Sequence, residues 1–205
     1  MEHVAGVPVS RETLARLEAF AAITLKWTPK INLIAKGTTT EIWDRHIVDS
    51  AQLYALAPSE FEHWVDIGSG GGFPGIVMAI LGHQHHPDAR FTLIESDQRK
   101  CTFLRTAARE LSLSVNVIAN RIEAAAPQEA DVVSARALAA LPALLPLVHR
   151  HLAKDGVCLI HKGRNAASEI AQAQETWSFA LEDQPSITDP EARLLSIRRI
   201  LQGGT

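Results

Sequence analysis

Residues 65–75 read Val-Asp-Ile-Gly-Ser-Gly-Gly-Gly-Phe-Pro-Gly, and this stretch decides the fold of the chain. The apolar run that ends at Ile67 predicts a strand, and Pro74 suits the first turn of a following helix. Five glycines between positions 68 and 75 permit a tight turn and let a ligand approach the backbone without meeting a Cβ atom. The helix N-terminus would add free N–H groups at the same place. The stretch therefore predicts a strand, a ligand-binding loop and a helix.

The chain that follows repeats this alternation of strand and helix. Short apolar runs predict strands, and the longer amphipathic segments between them predict helices. The strands are predicted at 64–67, 91–95, 115–118, 131–134 and 157–161, and the helices at 76–81, 98–111, 137–152 and 166–174. Such alternation implies right-handed crossovers and a mostly parallel sheet with helices on both faces. Two further runs, 177–181 and 194–200, predict a hairpin at the edge of the sheet.

The first sixty residues read as helical. Ser10 suits the N-cap of a first helix, and a second helix is predicted from 40 to 56, before Pro58. No linker rich in Gly, Pro or Ser separates this part from the rest, so we expect one domain over residues 1–205. It would consist of an N-terminal helical extension, 1–60, and a Rossmann-like α/β core, 61–205.

Composition excludes several classes of protein. Apolar residues make up 46% and charged residues 21% of the 205 residues, which is typical of a folded globular chain. Cys101 and Cys158 have no metal-ligand or disulfide spacing, so we expect buried core residues and a cytoplasmic protein. The most apolar stretch, 138–148, is too short to span a membrane, and its leucines and Val148 predict a buried helix face. The histidines of 83–86 lack ligand spacing, so we expect a surface loop and no metal. A net charge of −3 excludes wholesale electrostatic binding of nucleic acid but allows a local basic patch.

Two cofactors match the glycine loop. The glycines of 70–75 fit the dinucleotide fingerprint, whereas Asp66 with the glycines of 68–72 fits the loop that methyltransferases use for S-adenosylmethionine. We expect Asp66 to decide between them, because a carboxylate would repel a pyrophosphate and attract an ammonium and a sulfonium. Glu95 ends the next strand and can accept both ribose hydroxyls of an adenosine, which the two cofactors have in common. Too little chain remains for the substrate domain of a dehydrogenase.

An ordered set of short motifs extends this pattern over most of the chain. The sequence resembles the RsmG (GidB) family of bacterial methyltransferases, which modify guanine N7 in small-subunit ribosomal RNA. The residues that carry the resemblance are Ile31-Asn32-Leu33, Arg45-His46 with Asp49-Ser50, Phe73-Pro74-Gly75, Leu93-Ile94-Glu95-Ser96, Arg121-Ile122-Glu123, Ser134-Ala135-Arg136-Ala137 and Lys162-Gly163. The resemblance implies the class I S-adenosylmethionine-dependent methyltransferase fold.

The resemblance also implies which residues bind the cofactor. Cofactor contacts are expected at Gly68 and Phe73 of the loop, at Ile122 and Glu123 beside the adenine, and at Arg136, which could meet the methionine carboxylate or an RNA phosphate. To these the loop and strand argument adds Gly70 and Glu95.

Guanine N7 carries a lone pair and no proton, so its methylation requires no general base and we predict no catalytic base. Arg45, His46 and Lys162 are candidates for binding the RNA. The alternative for Arg45 is an ion pair on the helix surface with Asp49, which lies four residues further along the chain. The alternative for Lys162 is a solvated side chain at the end of a strand.

The resemblance implies the decoding-region hairpin of 16S rRNA as the target. The low positive charge favours the assembled small ribosomal subunit over naked RNA as the form in which it is bound. We expect the enzyme to be a monomer. Two alternatives stay open: a small-molecule methyltransferase on the same fold, and a ribosome-assembly factor that binds RNA without catalysis.

Overall fold

The computed structural model of the protein describes residues 2–203, apart from the side chain of Lys36, and begins with a short hairpin. Strands β1 (Glu2–Val4) and β2 (Val7–Val9) pair antiparallel. Ala5 and Gly6 between them have φ of 51° and 82°, the geometry of a tight turn whose twist matches that of its strands. The helical interpretation of the first sixty residues is therefore wrong for 2–9, because strands of three residues are too short to show a period.

The rest of this N-terminal extension is helical, as predicted. The Ser10 side chain accepts a hydrogen bond from the Thr13 N–H at 3.1 Å and caps the first helix. The predicted second helix is present but irregular, since its first half has 3-10 and π geometry. The elements are α1 (Arg11–Ile31), a 3-10 segment (Lys36–Glu41), a π-helical segment (Trp43–Val48) and α2 (Asp49–Tyr54).

Every strand and helix predicted for the core is present. The strands are β3 (His63–Ile67), β4 (Arg90–Glu95), β5 (Val115–Ala119), β6 (Ala130–Arg136), β7 (Leu152–Lys162), β8 (Trp177–Pro185) and β9 (Arg193–Gln202), and the helices are α3 (Gly75–His85), α4 (Gln98–Glu110), α5 (Leu141–His151) and α6 (Ala166–Gln174). The main differences are that α5 begins at Leu141 rather than at 137 and that β7 begins at Leu152 rather than at 157.

The sheet has seven strands in the order β5-β4-β3-β6-β7-β9-β8. The five strands from β5 to β7 are parallel, and the predicted edge hairpin adds β9 antiparallel to both of its neighbours. Strand order reverses between β3 and β6, because the chain proceeds outward from β3 on one side and from β6 on the other. Ligands of open parallel sheets bind beyond the carboxyl ends of the strands at such a reversal.

Two hydrophobic clusters pack against the two faces of the sheet. One contains residues of the N-terminal extension, such as Phe20 and Ile47, together with α3 and α4, and the other contains α5 and part of α6. The extension therefore shares its core with one face of the sheet. Cys101 and Cys158 are buried, as expected.

No helix within residues 2–203 is long and apolar enough to cross a membrane. The histidines of 83–86 were expected in a surface loop, but His85 ends α3 instead. Its Nε2 bonds the Pro8 carbonyl at 2.9 Å, and the imidazole of His86 bonds the Tyr54 hydroxyl at 2.6 Å. These side chains attach the N-terminal hairpin and α2 to α3.

Candidate active site

The glycine loop follows β3 and turns sharply into α3. Gly68 and Gly70 have φ of 68° and 53°, a region that other residues rarely adopt. A Cβ atom on Gly68 would lie 2.6 Å from Cδ1 of Leu138, whereas the nearest atom to one on Gly70 would be 3.8 Å away. The backbone geometry therefore favours glycine at 68, and a larger residue there would also have to displace the Leu138 side chain.

Glu95, at the end of β4, fixes the loop from the neighbouring strand. Its Oε2 accepts a hydrogen bond from the Gly70 N–H at 2.8 Å, and its Oε1 accepts one from the Asp97 N–H at 2.8 Å. Each carboxylate oxygen can accept more than one hydrogen bond, so both retain capacity for a ligand hydroxyl.

A cavity of about 560 Å³ opens over this loop, and we call it the cofactor cavity. Its lining includes all seven residues predicted to bind the cofactor, which are Gly68, Gly70, Phe73, Glu95, Ile122, Glu123 and Arg136. They come together because the carboxyl ends of β3, β4, β5 and β6 meet at one edge of the sheet.

Ile122 and Glu123 give the cavity an apolar wall and a polar rim. Ile122 is buried, and its carbonyl accepts a hydrogen bond from Nε2 of His151 at 2.9 Å. Glu123 is exposed and lies 3.6 Å from Arg121. An apolar face beside a polar edge has the character that an adenine ring requires.

Asp66 does not face the cavity, and the expectation that its carboxylate attracts the charged methyl donor is wrong. The side chain is 1% exposed and lies beneath the loop, where Oδ1 accepts a hydrogen bond from the Ser134 hydroxyl at 2.7 Å. Its Oδ2 lies under Gly75, 2.6 Å from where a Cβ atom would be. Burial raises the pKa of Asp66 to about 6. Asp66 therefore supports the turn, and the carboxylates that line the cavity are those of Glu95 and Glu123.

A second cavity of about 520 Å³ adjoins the first. Its lining includes the three side chains predicted to bind substrate, Arg45, His46 and Lys162. The two cavities have residues 136–139 in common, and we call this stretch the shared wall. Leu138, predicted on the buried face of a helix, lies in this wall and is 36% exposed, because the chain turns at Ala137 with φ of 51° before α5 begins.

Arg136 connects the shared wall to the N-terminal extension. Its guanidinium donates to Oδ2 of Asp49 and to the carbonyl of Arg45, both at 3.0 Å, and lies 5.5 Å from the centre of the Phe73 ring. The predicted alternative pairing of Arg45 with Asp49 is wrong: Arg45 instead meets Glu41 at 3.2 Å in an exposed ion pair. Arg45 is thus directed to the rim of the second cavity and Arg136 to its interior.

His46 completes this contact. Its Nδ1 lies 2.7 Å from the guanidinium of Arg136, which can only donate, so Nδ1 accepts and the imidazole is neutral. Burial, and then the charge of Arg136, lower the pKa of His46 to about 4.

Asp49 is a site residue that the sequence indicated only through its place in the Arg-His-x-x-Asp-Ser motif. It accepts hydrogen bonds from Thr188 at 2.7 Å and from Arg136, and its carbonyl accepts one from Nε2 of His161 at 2.7 Å. Burial alone would raise the pKa of Asp49, but His161, Thr188 and Arg136 together hold it below its usual value. Asp49 thereby connects α2 with β6, β7 and the loop between β8 and β9.

Lys162 is buried at the end of β7, so its alternative interpretation as a solvated lysine is wrong. Its ammonium donates to the Ala139 carbonyl of the shared wall and to Oε2 of Glu169 at 2.8 Å. The same Oε2 accepts a hydrogen bond from the Leu141 N–H at 2.8 Å. Glu169 was not predicted as a site residue, since it lies within α6 and belongs to no motif.

Comparisons with known proteins agree with this geometry. The family described as rRNA small subunit methyltransferase G (GidB) matches residues 13–195. A Cereibacter sphaeroides protein named ribosomal RNA small subunit methyltransferase G is 52% identical over 197 residues, which are 96% of each chain. A Rhodospirillum centenum protein of the same name is 50% identical over 200 residues, covering 98% of this chain and 90% of its own.

The chain belongs to the ribosomal RNA small subunit methyltransferase G family. It is therefore a methyltransferase, and S-adenosylmethionine is the cofactor of its family.

Solved structures resemble this family member in fold. A methyltransferase from Geobacter sulfurreducens has a TM-score of 0.57 at 16% identity, with 93% of this chain and 90% of that one covered. The O-methyltransferase TomG from Streptomyces achromogenes, in complex with S-adenosylmethionine, has a TM-score of 0.58 at 13% identity, with coverage of 94% and 91%. The predicted class I methyltransferase fold is confirmed.

The cofactor cavity of this family member fits S-adenosylmethionine. Its volume of about 560 Å³ is in the range of small-molecule sites. Glu95 has spare acceptor capacity for ribose hydroxyls, Ile122 offers an apolar surface, and Gly68 and Gly70 leave the loop backbone accessible.

Proposed function

We propose that this enzyme transfers the methyl group of S-adenosylmethionine to N7 of a guanine in the decoding-region hairpin of 16S rRNA. The observation that carries this proposal is the shared wall, residues 136–139, which lines both cavities. A donor in the cofactor cavity and a base in the second cavity would both lie against this stretch of chain, so N7 could approach the methyl group directly, in line with the sulfur–carbon bond that breaks.

In the cofactor cavity we assign the ribose to Glu95 and the adenine to Ile122 and Glu123. The backbone of Gly68 and Gly70 would approach the ligand where no Cβ atom intervenes. Arg136 of the shared wall, and Phe73, whose ring centre lies 5.5 Å from the Arg136 guanidinium, would orient the methionine portion. S-adenosylmethionine supplies a methyl group on a sulfonium, and guanine N7 accepts it without losing a proton.

In the second cavity the side chains position the base rather than accept a proton. His46 is neutral, but its Nδ1 lone pair is already engaged with Arg136. Asp49 is likewise engaged with Thr188 and Arg136. These bonds hold the lining of the cavity rigid, which is the contribution that methylation of an unprotonated nitrogen requires.

A large RNA substrate is favoured over a small molecule by Arg45. Its side chain is 44% exposed at the rim of the second cavity, where it can reach a phosphate outside. A net charge of −3 gives little non-specific attraction to RNA, so we propose the assembled subunit as substrate. We further propose that the chain acts in the cytoplasm as a monomer of one domain; sedimentation at the mass of one chain tests the monomer.

The test is methyl transfer from labelled S-adenosylmethionine to small subunits isolated from a strain that lacks the enzyme. We expect incorporation into 16S rRNA at a single position, located as N7-methylguanine by borohydride and aniline cleavage. If no methyl group is transferred, the proposal that this chain methylates 16S rRNA is refuted. The alternative of a ribosome-assembly factor that binds RNA without catalysis is then favoured. Naked 16S rRNA is the comparison, and equal rates on both substrates would refute the preference for assembled subunits.

A further inference from the structure

An acid–base pair lies inside the second cavity, beside the shared wall. Lys162 and Glu169 are 2.8 Å apart, with side chains 7% and 20% exposed, and both line the cavity. Burying such a pair is costly unless its hydrogen bonds are satisfied, and the transfer of a methyl group to N7 does not itself require either charge. The pair therefore needs a role of its own.

The hydrogen bonds of the pair leave one donor and one acceptor free. The Lys162 ammonium has three protons, of which two are given to the Ala139 carbonyl and to Oε2 of Glu169. Oε2 of Glu169 is shared by Lys162 and the Leu141 N–H. Among residues 2–203, no hydrogen bond or ion pair involves Oε1 of Glu169. The cavity thus offers a cationic donor directly beside an anionic acceptor.

This order matches one edge of guanine. Going around the ring from N7, the next polar groups are O6, which accepts, and N1–H, which donates. In the second cavity the Lys162 ammonium bonds the Ala139 carbonyl of the shared wall, and the Glu169 carboxylate lies 2.8 Å from that ammonium. If N7 faces the wall, O6 meets Lys162 and N1–H meets Glu169. Adenine has the opposite polarity at both positions, with an amino donor and a bare N1 acceptor.

We propose that Lys162 and Glu169 read the O6 and N1–H edge of the target base and so restrict methylation to guanine. This assignment rests on the proposed function. The second cavity has two other carboxylates, but Asp49 is engaged with Arg136 and Thr188, and Asp189 accepts the Glu191 N–H at 3.0 Å in its own turn. Among these three carboxylates of the described chain, only Glu169 has both an oxygen without a hydrogen bond, Oε1, and a cation beside it, the Lys162 ammonium.

The test compares guanine with 2-aminopurine at the target position of small subunits reconstituted from ligated 16S rRNA. 2-Aminopurine keeps N7 and the 2-amino group but lacks O6 and the N1 proton. We expect the wild-type enzyme to prefer guanine by about 100-fold in kcat/KM, because guanine satisfies both Lys162 and Glu169, whereas 2-aminopurine satisfies neither and leaves both without a partner.

Two variants identify the residues responsible. Glu169→Gln keeps an oxygen for Leu141 and Lys162 but turns an N–H toward the base, so the preference should fall at least about 10-fold. Lys162→Met removes the O6 donor and should lower it similarly. The matched control is Asp183→Asn, which breaks an exposed acid–base pair with Arg193 outside both cavities and should leave the preference unchanged.

The preference, rather than the rate, separates recognition from a structural role. If Glu169→Gln and Lys162→Met slow transfer equally on both bases, the pair only supports the fold and the inference is overturned. It is also overturned if the wild-type enzyme methylates both bases equally. Failure of the wild-type enzyme to methylate guanine-bearing subunits is a different result, because it refutes the proposed function, and with it this reading of the pair.

Discussion

Glu95→Gln tests the double role of the residue that fixes the glycine loop. Both oxygens of Glu95 accept backbone hydrogen bonds, from Gly70 and from Asp97, each at 2.8 Å. A glutamine amide has one oxygen and one NH₂ group. Whichever way it turns, a donor will face a backbone N–H, and one of the two hydrogen bonds is lost.

The expected magnitude follows from the burial of this site. A backbone donor left without an acceptor costs about 1–3 kcal/mol. For a chain of this length each kcal/mol corresponds to about 2–4 °C in Tm, so the melting temperature should fall by about 2–12 °C. Loss of a charged acceptor for ribose hydroxyls costs about 1.5–3 kcal/mol more in binding, which weakens S-adenosylmethionine by about 10- to 150-fold.

The assay is thermal unfolding of the free protein, followed by calorimetric titration with S-adenosylmethionine. Glu123→Gln is the matched control, because this carboxylate lines the same cavity but is exposed and makes only a 3.6 Å ion pair. Its melting temperature should be unchanged. A Glu95→Gln protein that melts at the wild-type temperature and binds the cofactor normally would contradict both roles.

Further predictions concern the loop and the acid beneath it. Gly68→Asp should abolish cofactor binding in calorimetry while circular dichroism shows a folded protein, because the new side chain enters the cavity and its Cβ would lie 2.6 Å from Leu138. Gly70→Ala has room for its Cβ atom and should cost only about 1–2 kcal/mol of backbone strain. Equal loss of cofactor binding in Gly68→Asp and Gly70→Ala would contradict this account of the loop. The pKa of Asp66 is raised to about 6 from 3.8, so the folded protein holds a proton that the unfolded chain releases as pH rises from about 4 to 6. This group therefore stabilises the fold less at neutral pH than at acidic pH, by about 2–3 kcal/mol. Urea unfolding should show that, as pH rises across that range, the free energy of unfolding of the wild type falls relative to that of Asp66→Asn. Parallel pH profiles of the two proteins would disprove this.

The order of elements and the place of the cofactor cavity could be predicted from local patterns. Apolar runs of strand length alternate with amphipathic helices, and this alternation permits few arrangements other than a parallel sheet with helices on both faces. Residues that directly follow β3, β4, β5 and β6 then meet at one edge, whatever the details of packing. For this reason the seven predicted cofactor residues line one cavity although they span positions 68–136.

Side-chain direction and pairing could not be predicted in the same way. Asp66 has the sequence position of a ligand-facing acid, but the alternation of a strand and the room beneath Gly75 direct it inward. Arg45 and Asp49 have the spacing of a helical ion pair, yet π geometry in this segment changes which side chains are neighbours, and Arg136 takes Asp49 instead.

The sequence by itself determined the strand-loop-helix unit, the α/β class and the residues at the strand ends, because these depend on interactions between near neighbours in the chain. Only the tertiary structure decided that a second cavity lies beside the first and that Lys162 meets Glu169 there. Such contacts depend on how separate elements pack, since a buried charge must find its partner wherever the fold brings one close.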